Sequence, residues 1–243
     1  MRIDLYLVDN ALVDSRTDAK NFILAGAVSV DGKVIKKPAY EVNGSEKIEV
    51  DKSGKRFVSR GGFKLEGALD SFSIDVSGAM AIDVGASSGG FTDCLLKRGA
   101  THVIAVDSGS GQMVESLRND PRVTVIENFN ARYMSAADFE YTPDLAVMDV
   151  SFISAKLIIP AVSNVIKPNG KFVCLIKPQF EVGRGGLNKK GIVKNDLLRK
   201  SAVNDVVDFA VYCGFELKGI IESPILGGDG NVEYLAHFVK NNV

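Results

Sequence analysis

Two side chains able to take, give or steer a proton stand where an open α/β sheet would keep its ligand, and two more of the same kinds lie elsewhere in the chain. Asp149 ends the apolar run "LAVMDV", and Lys177 ends "KFVCLIK" with Pro178 directly after it. Ligands of open α/β sheets bind outside the carboxyl ends of the strands, so both residues are candidates for chemistry. Lys64, in "SRGGFKL", and Glu233, in "GNVEYL", carry the same residue types into a second pair of segments. Were Lys64, Asp149, Lys177 and Glu233 to converge, two ammonium groups and two carboxylates would form a nearly neutral cluster that tolerates partial burial. A lysine in such a place can lose its proton and act as a general base toward a hydroxyl. Lys177 is the expected base, with the other three orienting the amine and the substrate. Taken singly, each has a plainer reading as a surface lysine, a helix cap or a hairpin charge. Composition and periodicity do not bring the four together.

A second constellation says what the base would work beside. "AIDVGASSGGFTDCLL" reads as strand, glycine loop and helix, with the pattern D-x-G-x-x-x-G-G. It departs from the G-x-G-x-x-G fingerprint, whose second glycine admits a pyrophosphate. Asp107 ends the next strand, where a carboxylate can accept hydrogen bonds from both ribose hydroxyls of a nucleoside. An adenosine ligand without a pyrophosphate fits, which points to S-adenosylmethionine. The expected donor contacts are Asp83, Gly85, Ala86, Ser87, Gly89, Gly90, Phe91, Asp107, Asn130 and Asp149. The plainer alternative is a tight strand-to-helix turn with a capping aspartate. With that donor, the base would take the proton of a ribose 2′-hydroxyl as the oxygen attacks a sulfonium methyl group, a displacement that depends on positioning.

The elements that must hold these residues fall into two patterns. Residues 1–50 read as a small α+β unit: a short helix in "RIDLYLVDNAL" with Ile3, Leu5, Leu7 and Val8 as core, a second helix opened by Ser15 and Asp18 and closed at Gly26, and a hairpin turning on Asp31-Gly32. "KIEV" at 47–50 adds a last strand. Residues 51–60 form a basic connector. From 61 to 243 the strands "MAIDVG", "HVIAVD", "VTVIEN", "LAVMDV" and "KFVCLIK" alternate with helical stretches and are apolar nearly throughout, as in a parallel sheet covered on both faces. "FELKGIIESPI" and "NVEYLAHFVK" have no good helix between them and predict an antiparallel terminal hairpin. The expected fold class is therefore α/β, a Rossmann-like, mostly parallel methyltransferase sheet with an antiparallel terminal hairpin, preceded by a small α+β domain.

Composition excludes several classes. The chain has 243 residues, 46% apolar and 24% charged, with a net charge of −1. Any nucleic-acid surface must be a local patch. No apolar run approaches the ~20 residues of a membrane helix, and the acidic start has no signal-peptide character. Cys94, Cys174 and Cys213 lie far apart, too far for a zinc knuckle, and read as small buried hydrophobes of a cytoplasmic protein. Two histidines, His102 and His237, give no third ligand, so no metal is expected.

"SRGGFKL", "DVGASSGGFTDCLL", "DVSFIS", "LIKPQFE" and "GNVEYL" resemble the hemolysin-A-type (TlyA-like) proteins, which join a small RNA-binding domain to an FtsJ-like (RrmJ-like) ribose methyltransferase domain. The resemblance spans nearly the whole chain. It implies a Lys64, Asp149, Lys177, Glu233 tetrad, S-adenosylmethionine as methyl donor, and ribosomal RNA or ribosomal subunits as substrate, with cytidine 2′-O-methylation as the known activity. The charge map agrees. Residues 182–200 hold six basic residues against one acid, and no acid falls between Lys52 and Lys64. The expected RNA contacts are Arg16, Lys20, Lys33, Lys36, Lys37, Lys55, Arg56, Arg60, Arg184, Lys189 and Lys190. Phe180 could stack on a splayed base, although a core position is the plainer reading. Three other functions compete: a non-catalytic RNA-binding or assembly factor, against which the complete tetrad and donor loop count; a cytolysin, for which no spanning or barrel segment speaks; and a nucleotide-dependent oxidoreductase, which the loop spacing disfavours.

Overall fold

The computed structural model describes residues 1–13, 15–24, 26–51, 57–227 and 230–242, apart from the side chains at 17, 21, 24 and 184. The chain separates into two compact units, Met1–Phe57 and Val58–Val243.

In the first unit, α1 (Ile3–Asp9) and α2 (Arg16–Leu24) pack with a sheet of β1 (Val28–Val30), β2 (Lys33–Val34) and β3 (Ile48–Val50), ordered β2-β1-β3 and antiparallel. The Ser15 hydroxyl accepts from the Asp18 amide at 3.1 Å, which starts α2 as expected. Asp31 (φ 49°) and Gly32 (φ 76°) make the tight turn between β1 and β2. The core of α1 differs from the sequence reading. Ile3 and Leu7 are buried and Val8 packs half-buried against them, but Leu5 is exposed, because the 3.6-residue period turns it away from the core. Asp4 is fully buried instead, and its carboxylate is bracketed by the Arg2 and Arg16 guanidiniums.

The second unit runs α3 (Gly61–Ser71), β4 (Met80–Val84), α4 (Gly90–Lys97), β5 (His102–Val106), α5 (Glu115–Arg118), β6 (Val123–Ile126), β7 (Leu145–Met148), α6 (Ile159–Val165), β8 (Lys171–Ile176), α7 (Pro178–Glu181), α8 (Asp196–Tyr212), β9 (Phe215–Glu222) and β10 (Tyr234–Lys240). Its seven-stranded sheet is ordered β6-β5-β4-β7-β8-β10-β9. The first five strands are parallel, and β10 and β9 close the sheet as the antiparallel hairpin the sequence predicts. The even-numbered positions Ile82, Ile104, Ala146, Phe172 and Phe238 share one face with Val162 and Val165 of α6 and Val203 and Val206 of α8. On the other side α4 packs on β4 and β5, and α3 packs on α4 and β10.

The parallel strands end one or two residues before the sequence reading placed them. Asp107, Asp149 and Lys177 therefore stand one residue past the strand ends, with the Asp107 and Asp149 amides still donating to the neighbouring strands' Ile126 and Val84 carbonyls. β5 and β7 flank β4 on either side, so the strand order reverses there, the place at the carboxyl edge where open α/β sheets keep their ligands.

Candidate active site

Lys177 is placed by the join between β8 and α7. Pro178 opens the helix, where its missing N–H costs nothing, and holds Lys177 extended (φ −111°, ψ 97°). The Lys177 side chain is buried to 9% exposure, with Nζ 2.5 Å from Asp149 Oδ1 and 2.7 Å from the Ser151 hydroxyl to which it donates. The contact with Asp149 is one of charges rather than of an aligned hydrogen bond, since Oδ1 has no such partner among the described residues.

Lys64 comes from the first turns of α3 and donates to Glu233 Oε2 at 2.5 Å, with both side chains almost fully buried. Glu233 stands one residue before β10. Tyr234 pairs with Ile176, so the antiparallel register continued by one step sets Glu233 across from Lys177. Gln179, two residues past Lys177, donates to Glu233 Oε1 at 3.1 Å. The four expected residues thus form two ion pairs bridged by the segment 177–179: Lys64–Glu233, buried on both sides, and Lys177–Asp149, in which the lysine is buried and the carboxylate partly exposed.

The motif segments also clamp one another. Glu181 Oε2 accepts from the Ser154 hydroxyl at 2.6 Å and Oε1 from the Ala155 amide at 2.7 Å. Phe180 lies 5.2 Å from Phe152, ring centre to centre, and 5.9 Å from Lys177 Nζ. Phe152 is 92% exposed and has a φ of 63°, a conformation that a bulky side chain adopts only when its surroundings impose it. Ser151, Gln179 and Phe152 were not singled out from the sequence. Ser151 could have been, because in extended chain it shares a side with Asp149, two residues earlier.

The glycine loop follows β4. Gly85 (φ 85°) runs so close to β7 that a Cβ there would lie 2.5 Å from the Asp149 carbonyl oxygen, so only glycine fits. Gly90 opens α4 against Ser59 and Gly62, and a side chain there would strike the Ser59 hydroxyl. Ala86 and Phe91 are buried, Phe91 with its ring against Gly61 and therefore turned into the packing of α3 on α4. Gly89 caps α4 in the left-handed region.

Asp107 accepts from the Ser87 amide at 2.8 Å through Oδ2 and from the Gly109 amide at 2.7 Å through Oδ1, which leaves a lone pair on each oxygen for a further donor. Asn130 accepts from the Arg132 amide and caps a short 3₁₀ turn after β6. Asp83 is wholly buried; its Oδ2 accepts from the Thr92 hydroxyl at 2.7 Å while Oδ1 has no partner among the described residues. Burial pushes the Asp83 carboxyl up to about 7, with the charges of Asp149 and Asp107 adding to the rise and the Thr92 hydrogen bond opposing it.

The expected RNA contacts divide between the units. Lys20, Lys33, Lys36 and Lys37 are exposed in the first, while Arg16 is half-exposed and shares the buried Asp4 at 3.1 Å. In the second, Lys189 and Lys190 are exposed, and Arg60 donates to the Leu226 carbonyl at 3.0 Å. Arg184 lies in a short 3₁₀ turn. Lys55 and Arg56 lie outside the described residues.

The strand order and the strand–glycine loop–helix placement define an S-adenosylmethionine-dependent methyltransferase fold, and residues 57–240 match the FtsJ-like methyltransferase family while residues 1–48 match the S4 domain. Hemolysin A of Brachyspira hyodysenteriae is 44% identical, covering 98% of this chain and 100% of its own. The 16S/23S rRNA (cytidine-2′-O)-methyltransferase TlyA of Mycobacterium tuberculosis is 44% identical over 96% of this chain and 87% of its own. A solved structure of a Streptococcus thermophilus hemolysin covers all of this chain and 89% of its own, at 42% identity and a TM-score of 0.79. The chain belongs to the FtsJ-like methyltransferases, in the branch that hemolysin A and TlyA represent.

S-adenosylmethionine is the cofactor of this fold, and the residues present suit it. The donor is a net cation, and two carboxylates, Asp107 and Asp149, stand just past the ends of β5 and β7, the strands on either side of β4. Asp83 Oδ1 has no partner among the described residues, and Gly85 brings the start of the glycine loop against the backbone of Asp149.

Proposed function

We propose that this protein methylates the ribose 2′-hydroxyl of a ribosomal-RNA nucleotide, a cytidine, in the cytoplasm, with Lys177 as the general base. The observation that carries the reading is the Lys177–Asp149 pair, packed at the strand ends beside both the glycine loop and the Lys64–Glu233 pair. S-adenosylmethionine, when bound, would supply the electrophilic methyl group, its methyl–sulfur bond breaking so that the sulfur leaves as a neutral thioether. Asp107 suits the donor's ribose hydroxyls, and the loop Gly85–Gly90 brings backbone close to it. Asp149 and the Ser151 hydroxyl hold Lys177 Nζ in place. In its neutral form Lys177 takes the 2′-hydroxyl proton as the oxygen forms its bond to carbon. Lys64 and Glu233 orient the substrate ribose, which matters because in-line displacement depends on alignment.

The substrate class follows from the relatives and from the surface. Phe152, exposed and tilted against Phe180 beside Lys177, suits a base drawn out of its stack. The exposed lysines at 20, 33, 36, 37, 189 and 190 suit phosphates. Cytidine is the nucleoside in the name of the M. tuberculosis relative.

The test is transfer of labelled methyl from S-adenosylmethionine to ribosomal subunits that lack the modification. Wild type should label the RNA, and Lys177→Ala should lose about 10²–10⁴-fold in rate, the usual contribution of a positioned base, with donor affinity unchanged. A Lys177→Ala protein as fast as wild type refutes the base. No label from wild type on either subunit refutes the substrate.

A further inference from the structure

The segment between α7 and α8 is basic, well built and tied to the active site by one buried side chain. From Arg184 to Asn195 it contains no acid. Asn188 organises its turn: the side-chain oxygen accepts from the amides of Lys190 at 2.8 Å and Ile192 at 2.9 Å, and its own amide donates to the Ile192 carbonyl. Lys189, Lys190 and Lys194 are left pointing to solvent, with no ion pair among the described residues.

Asn231 fastens this loop from below. It is 3% exposed, its Oδ1 accepts from the buried Val193 amide at 3.1 Å, and its Nδ2 donates to the Gly191 carbonyl at 3.0 Å. On the other side of Val193, Arg199 Nη1 donates to the Val193 carbonyl at 2.9 Å. Asn231 stands two residues before Glu233, and both are fixed to the same stretch of chain. The Gly227 amide donates to the Asn231 carbonyl at 2.9 Å and the Ser223 amide to the Glu233 carbonyl at 2.8 Å. Gly227 also runs so close to the Glu233 carboxylate that a side chain there would strike Oε1. A shift of the basic loop therefore reaches the carboxylate that holds Lys64 through one side chain and two residues of backbone.

We infer that Asn231 is a positioning residue that couples the basic loop Leu187–Lys194 to Glu233, so that RNA phosphate gripped by the loop sets the Lys64–Glu233 pair for reaction. The inference rests on the RNA-methyltransferase reading. The loop carries on its outside lysines with no ion pair among the described residues, and on its inside a buried, hydrogen-bonded side chain two residues from Glu233.

The experiment compares wild type, Asn231→Ala, the paired change Lys189→Gln with Lys190→Gln, and the combination of all three. It reads single-turnover methylation at saturating ribosomal subunit, affinity for S-adenosylmethionine, and hydrogen exchange at the Val193 amide. Coupling predicts that Asn231→Ala deprotects Val193, keeps donor affinity within about twofold, and slows single turnover about tenfold. It also predicts that the lysine pair slows single turnover about tenfold in wild type and adds little in the Asn231→Ala background, the non-additivity expected of residues acting through one path. Additive losses, or a lysine pair that weakens subunit affinity and leaves the saturated rate at the wild-type value, overturn the inference. The lysine pair is exposed and carries the test even if Asn231→Ala does not fold. A wild type that labels no ribosomal RNA overturns the substrate reading and this inference with it; a wild type that labels RNA alongside an equally fast Asn231→Ala overturns the inference alone.

Discussion

Asp83 gives a prediction whose size follows from the structure. Its carboxyl titrates near 7 in the folded chain against 3.8 as its ordinary value, chiefly because it is wholly buried. Below about pH 4 the folded and unfolded chains both carry the proton, and the site costs nothing. As pH rises the unfolded chain ionises first, so the penalty on folding grows and is complete above pH 7, where about three pKa units correspond to roughly 4 kcal/mol. Between pH 5 and pH 8 the wild type should therefore lose roughly 2–3 kcal/mol that an Asp83→Asn protein does not, or on the order of 5–10 °C in midpoint for a domain of this size. Asparagine retains an oxygen for the Thr92 hydroxyl, and whatever its buried amide costs is independent of pH. The measurement is denaturant unfolding of both proteins without donor across that range. Parallel stability profiles would refute the assignment of a buried, protonated carboxyl at this position.

Two further expectations concern buried charges elsewhere. Glu233→Gln leaves the Lys64 ammonium buried without its carboxylate and should cost about 3–5 kcal/mol in equilibrium unfolding, whereas replacing the pair together by Lys64→Met and Glu233→Leu should cost less, and neither protein should transfer methyl. In the first unit, burial alone would raise the Asp4 carboxyl, but hydrogen bonds and charge from Arg2 and Arg16 outweigh it and hold the group below its ordinary value. That stability is present above about pH 4 and is lost as pH falls through the depressed value, so Asp4→Asn should flatten acid unfolding of residues 1–50, followed by amide signals in the full chain.

The strands, the glycine loop and the terminal hairpin were legible because each depends on a local pattern: apolar runs, a strand–glycine–helix order, and two strand stretches with no helix between. Pro178 likewise announced where β8 stops. Residues whose role depends on register or on a distant partner were not legible. Leu5 reads as core, and no local pattern marks Asp4 as buried: two arginines fourteen residues apart close on its carboxylate. Helix α8 hides behind its valines, which favour strands by propensity, and is recognised by the Ala202, Val203, Val206, Val207, Ala210 stripe and the Asn195 cap. Gln179 and Asn231 act on segments 54 and 38 residues away, beyond the reach of any local pattern. Phe152 was not singled out, because nothing in its residue type requests the positive φ or the exposure it has.

The burial of the two lysine–carboxylate pairs also bears on why they are there. Lys64, Lys177 and Glu233 are each less than a tenth exposed. Desolvating an ion costs several kcal/mol, and a buried pair commonly does no better for stability than apolar residues of the same volume. Two such pairs at the end of an otherwise apolar strand set are therefore a poor device for holding the sheet together. The surrounding chain also spends ordered structure on them: Pro178 and Ser151 fix one lysine, α3 delivers the other, and Gln179 and the Ser223 amide hold Glu233. Near neutrality of the cluster explains why it can be buried, but not why it should be. A requirement to hold an amine, a ribose and a methyl donor in line explains both, because charges kept in a dry and rigid site act on a proton with little reorganisation when the reaction occurs.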